Sequence, residues 1–140
     1  MERRDLLKDQ IEQLGKVLAK ILSDLIGFKA KGQVIEGIQI TTQQLRESLD
    51  IDLEKLSGLN KEELKDYMQK RQLISVHFEV LSEYLEELGR AEMDINKEKA
   101  IRWLEKSVEL LDLSDEISKT ASFEQFHRKK NLQALIENYQ

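Results

Sequence analysis

The sequence contains neither cysteine nor proline. Without cysteine there is no disulfide, no thiolate zinc site and no cysteine nucleophile. Without proline, where average usage is about 5%, nothing in the composition obliges a helix to kink or stop. Aromatic residues are scarce at 6%. Long apolar runs are missing too: Asp5, Lys8, Asp9, Glu12 and Lys16 interrupt the first apolar stretch, which therefore reads as neither a signal-peptide core nor a membrane span. Basic residues are outnumbered, 22 Lys and Arg against 27 Asp and Glu, for a net charge of -5. That balance opposes nucleic-acid binding, which depends on cations neutralising phosphates. The run His127-Arg128-Lys129-Lys130 is the only basic cluster, and it reads as a solvated helix face. Glycine-rich phosphate loops and a glycine-flanked nucleophilic serine are also absent.

What remains is a chain rich in charge, 35%, with 40% hydrophobic residues, a composition suited to helices. Its 140 residues suit one domain with a core that needs no staples. The plain expectation is a soluble, cytoplasmic, all-α protein: a single helical domain over 1–140, built as a bundle of five to six helices.

The strongest pattern is the opening stretch, 3–28. Leu7, Ile11, Leu14, Leu18, Ile21, Leu25 and Phe28 recur at spacings of four and three, on one seam of a helix. Val17, Leu22 and Ile26 widen that seam beyond what one neighbouring helix needs. Lys29, Lys31 and Gly32 then form a cationic last turn followed by a glycine, a helix stop. A second helix from about Gln33 carries Val34, Ile38, Thr41, Leu45 and Leu49 on one face, and so short a connection makes the pair an antiparallel hairpin.

Residues 50–59 read as a loop with at most one helical turn, in which Leu53 and Leu56 plug the core. Asn60 and Glu63 have the spacing of a capping box. From there Leu64, Tyr67, Ile74, Phe78, Leu81, Leu85 and Leu88 stay in phase, compatible with one helix over 61–89. The polar residues Lys70-Arg71-Gln72 favour two, the first ending near Lys70. Asn96 caps a further helix whose buried face is Ala100, Ile101, Leu104, Val108 and Leu111. Ser122, with Gln125 three residues on, starts the last helix. Its apolar positions flank the segment His127 to Asn131, so it is expected to dock by its two ends.

An internal repeat is present. Residues 32–38 and 95–101 correspond at a constant offset of 63, which sets Gly37 against Ala100, Thr41 against Leu104 and Leu45 against Val108. Small residues at Gly37 and Ala100 fall where the helices of each hairpin would approach most closely. The segments resemble the second helix of a tetratricopeptide repeat (TPR), with Ala100, Leu104 and Ser107 fitting its small, large, small pattern and Gly37, Thr41 and Gln44 fitting it less well. The resemblance implies two TPR-like hairpins, over about 3–50 and 72–113, followed by a C-terminal helix over about 122–139. Over its whole length the chain also resembles a family of small bacterial helical proteins of uncharacterised function. That likeness rests on ERRDLLKDQIEQLGKVLAKIL, KGQVIEGIQ, SVELLDL at 107–113 and KTASFEQF. It implies fold and bacterial origin, with no activity and no site residues.

Chemistry is thinly supported. Glu124 and His127 form one Glu-x-x-His pair, half of what a helical-bundle di-iron site needs, and His77 has Ile74 where the second glutamate would stand. No catalytic residue, cofactor or metal is therefore assigned. The expected function is a non-enzymatic module for binding a protein or peptide, with Leu7, Ile11, Leu14, Leu18 and Trp103 as the candidate interaction surface. Trp103 itself reads as a core-edge or groove residue. The alternatives are a structural homodimer formed through the first helix and, with less support, a peripheral membrane protein using Arg3, Arg4, Lys8, Lys16, Lys20, Lys29 and Lys31 around that helix. Gly15, inside a strong helix, suggests a close neighbouring backbone or a bend.

Overall fold

A computed structural model describes residues 3–120 and 122–140, with side chains from Leu6 onward. The side chains of Arg3 and Arg4 lie outside the described ones. The described residues form seven helices and no strand: α1 (Arg3–Ala30), α2 (Val34–Leu49), α3 (Leu53–Ser57), α4 (Lys61–Lys70), α5 (Ser75–Glu92), α6 (Lys97–Ser118) and α7 (Phe123–Tyr139).

The seventh helix, beyond the five or six expected, is α3, only five residues long. Asp52 makes it a helix by accepting the Glu54 and Lys55 amides at 3.1 and 3.3 Å, which satisfies two otherwise orphaned donors. Leu53 and Leu56 are buried, so this turn does plug the core.

Three helices end the same way, and only one of the ends carries a glycine. Gly32, Asp50 and Gln72 all adopt positive φ. The next amide in each case reaches back to close the helix: Gln33 to the Phe28 carbonyl, Ile51 to Leu45 and Leu73 to Met68, at 2.8, 3.1 and 3.2 Å. Ile51 and Leu73 are then carried straight into the core. The Gln72 turn divides 61–89 into two helices, as the polar residues there suggest. Arg71 holds that turn in place. Its guanidinium donates to the Asp50 carbonyl at 2.5 Å and to the Tyr67 carbonyl at 2.8 Å, and it lies 3.5 Å above the Tyr67 ring. One side chain thus ties the ends of α2 and α4 together.

Two antiparallel pairs make up most of the molecule. In α1 and α2, Phe28 faces Gly37 and Asp24 accepts the Gln44 amide at 3.3 Å. In α5 and α6, Gly89 faces Ala100 and Leu104, Ser82 and Ser107 each donate to the other's carbonyl at 2.9 and 2.7 Å, and Ser114 donates to the Ser75 carbonyl at 3.1 Å. A Cβ on Gly37 would lie 2.5 Å from the Phe28 Cβ, and one on Gly89 would lie 2.9 Å from Leu104. The small residues therefore stand where the helices close in. α5 joins the pairs: it lies against α1, and its Tyr84 hydroxyl meets the Thr41 hydroxyl on α2 at 2.9 Å. Thr41 donates onward to the Gly37 carbonyl, so Tyr84 is the donor to Thr41. Burial pushes the Tyr84 phenol up to about 12, reinforced by the charge of Glu92.

The main core runs from Leu18, Ile21 and Leu25 through Ile51, Leu56 and Leu64 to Phe78, Leu85 and Trp103. Lys106 is buried at its edge, donating to the Leu59 carbonyl and pairing with Glu109 at 2.8 Å.

α7 departs from both expectations set for it. It docks through its middle and second half: Leu132 is buried against Leu104 and Leu111, with Leu135 and Ile136 beside it. Its first turn is the exposed part, with Phe123 79% and Phe126 49% exposed. Nor is the basic run a solvated face throughout: His127 and Lys130 are exposed, but Arg128 and Lys129 are half-buried. Arg128 pairs with Glu86 at 3.2 Å, and Lys129 pairs with Asp112 and Asp115 at 3.1 and 3.0 Å, all partly buried. Burial works against the Lys129 charge, but the two carboxylates outweigh it and raise its pKa. The acids that hold it lie three residues apart on α6, a complement that is visible only once the helices are paired.

Candidate functional site

The five residues proposed as an interaction surface separate into two places. Leu7, Ile11 and Leu14 stay together along the first half of α1, where Gln10, Gln72 and Ile74 complete an apolar groove of about 210 Å³. Leu7 is 55% exposed and Ile74 39%, while Ile11 and Leu14 are half-buried. Leu18 belongs elsewhere. At 2% exposure it is a core residue between α1 and the rest of the bundle, because the seam disappears under α5 one turn after Leu14. The far wall of the groove comes from the linker before α5, which no periodicity in α1 could reveal.

His77 forms the base of this end of the molecule. It is buried, its Nδ1 accepts the Ile74 amide at 2.9 Å, and its Nε2 lies 3.0 Å from the Ile11 carbonyl. Those partners require a neutral ring with its proton on Nε2, donating to the carbonyl. Burial lowers the pKa of His77, and the Ile11 hydrogen bond opposes that only in part. The same ring explains Gly15: an added Cβ there would meet the imidazole at 3.8 Å, an ordinary contact. A side chain, not a backbone, is the neighbour.

Trp103 is likewise buried, at 2% exposure, and so is no exposed contact. It forms part of the floor of a larger cleft, about 440 Å³, between α2, α3 and α6. Ile51, Leu53 and Leu88 share that floor. Thr42, Gln43 and Arg46 on α2 face Lys99 on α6 across the opening. The Trp103 indole donates to Glu92 at 3.1 Å, fixing that carboxylate at the edge. Sequence reasoning missed Glu92 because it ends a helix and looks like any solvated glutamate.

Among the described residues, no three histidine or carboxylate side chains gather as a metal site. His127 instead packs edge-on against Phe123 and Phe126, at 4.7 and 6.2 Å between ring centres. No described helix is long and apolar enough to cross a membrane. Comparison with protein-family models, curated proteins and solved structures yields no match to this chain.

Proposed function

We propose that this chain is a non-enzymatic interaction module in which two TPR-like hairpins hold the groove at the start of α1 open to a protein or peptide partner. The supporting observation is that groove: Leu7, Ile11, Leu14 and Ile74 form an apolar recess on a face that no other described helix covers. The repeat-like reading draws support from the second helix of each pair, where Gly37 and Gln44 meet α1 just as Ala100, Leu104 and Ser107 meet α5. A partner would contribute an apolar side chain or two, on an extended or helical segment.

The test is a peptide-display selection on the full chain, repeated on Leu7→Asp. The reading expects reproducible enrichment of peptides with apolar anchors that bind the variant at least about tenfold more weakly, a loss of about 1.4 kcal/mol. Absence of enrichment, or equal binding to both proteins, contradicts it. A second reading, a homodimer, uses the same groove and is favoured by the continuation of apolar exposure onto Leu6 and Val76. Sedimentation at micromolar concentration separates the two: a dimer that Leu7→Asp converts to a monomer supports the second, and a monomer throughout removes it. Peripheral membrane binding is less well supported, because most of the α1 seam is committed to the core.

A further inference from the structure

We propose that the cleft between α2 and α6 is a receptor for a lysine side chain presented by an extended segment of another protein. The proposal does not depend on what occupies the α1 groove. Its volume, about 440 Å³, lies within the range of roughly 300–1,000 Å³ typical of ligand pockets. The half-buried Ile38 lines the cleft beside a sealed floor of Ile51, Leu53, Leu88 and Trp103, and it offers apolar surface to the methylenes of a lysine stem, which pack on such surface while the ammonium stays polar.

Charge decides the sign of the ligand. Four carboxylates line the cleft, Glu47, Asp52, Glu54 and Glu92, against two cations, Arg46 and Lys99. Both cations are engaged: Arg46 lies 3.9 Å from Asp52, and Lys99 lies 3.2 Å from Glu54. Glu47 accepts the Gln43 amide at 2.9 Å. Among the described residues no lysine or arginine nitrogen lies within the 4.0 Å of an ion pair from Glu92. The cleft therefore keeps an uncompensated negative charge beside an apolar floor.

Glu92 also favours an ammonium over a guanidinium. A guanidinium is held best when both carboxylate oxygens receive a hydrogen bond side by side. Here the Trp103 indole already takes one lone pair of Oε2, which leaves a side-by-side pair of donors less room than a single donor on Oε1. An ammonium, a compact point charge, meets that geometry. Gln39, Thr42 and Gln43 on the α2 rim supply amide and hydroxyl groups for the peptide bonds flanking the lysine.

Trp103 is the only tryptophan, so its fluorescence reports on the cleft directly. The full chain is titrated with a capped Ala-Leu-Lys-Leu-Ala peptide, with the same peptide carrying N-acetyllysine, and with pentylamine. The proposal expects a saturable change with the lysine peptide, and binding at least about tenfold weaker for the acetylated peptide, for pentylamine and for the lysine peptide on Glu92→Gln. Glutamine keeps an oxygen for the indole, so circular dichroism should show the variant folded. If it is not, the acetylated peptide alone carries the comparison. No saturable change at millimolar peptide, equal affinity after acetylation, indifference to Glu92→Gln, or equal binding of pentylamine would each overturn the proposal.

Discussion

At the residue scale, His77 joins two parts of the chain with one ring: the first half of α1, through the Ile11 carbonyl and its approach to Gly15, and the α5 start, through Ile74. Ile74, as the residue preceding α5, has no side-chain acceptor for a helix amide, so the imidazole reaching back from the third helical position does half of what a capping box would do. Only the neutral ring can accept the Ile74 amide. Because the folded pKa is lowered, the unfolded chain binds a proton first as pH falls. The stabilisation is complete above the unfolded value, near 6.5, and is lost as pH falls from there through the lowered folded value. Urea midpoints taken from pH 7.5 to 5.0 should fall for the natural chain and change less for His77→Ala. Parallel slopes would show that His77 is not the group responsible. In the sequence this histidine was legible only as one with Ile74 where a metal site would need a glutamate. Its partners are backbone groups, one of them 66 residues away, and backbone acceptors leave no trace in a residue pattern.

At the element scale, two of the four glycines that lie inside helices, Gly15 and Gly37, are opposite cases. Gly15 has room for a methyl group, and Gly37 has none. Gly15→Ala should stabilise the protein by about 0.5–1 kcal/mol through helix propensity. Gly37→Ala gains the same propensity but forces Phe28 aside, and should destabilise by about 1–3 kcal/mol. Chemical denaturation of both variants checks the pair, and shifts of the same sign would contradict the packing described for α1 and α2. A second element-level prediction concerns α7, held over a small separate apolar cluster by partly buried ion pairs. Replacing Arg128 and Lys129 by glutamine leaves Asp112 and Asp115 unpaired and Glu86 with Arg90 alone, and should loosen α7 by about 1–2 kcal/mol. Limited chymotrypsin digestion should then cut at Phe123 and Phe126 faster than in the natural chain, while Trp103 fluorescence stays native. Unchanged digestion would mean that the ion pairs do not hold the helix. Helix starts were legible at three of the four side-chain caps, Asn60, Asn96 and Ser122, and not at Asp52. Helix stops were legible at Gly32 from its glycine and near Lys70 from the polar residues there, whereas the left-handed turns at Asp50 and Gln72 lack the residue that announces them.

At the scale of the whole molecule, periodicity made the helices of the two paired units readable. What joins them was not: α5 contributes Tyr84 to Thr41 on one side and Glu86 and Ser82 to Arg128 on the other, and these partners are far apart in sequence. The candidate surface was half legible for the same reason. The α1 seam located Leu7, Ile11 and Leu14, whereas the point at which α5 covers that seam, just before Leu18, depends on how the hairpins stack. The wide apolar face of α1 is thus explained over most of its length by α2 and α5, and its first turns and Ile26 remain open. That open end is the basis of the proposed function. The most direct test is amide hydrogen exchange on the full chain with and without a peptide selected for binding. The account predicts added protection over residues 7–14 and 72–77, with α6 and α7 unchanged. Protection confined to α7, or a bound peptide that leaves 7–14 and 72–77 unaltered, would contradict it.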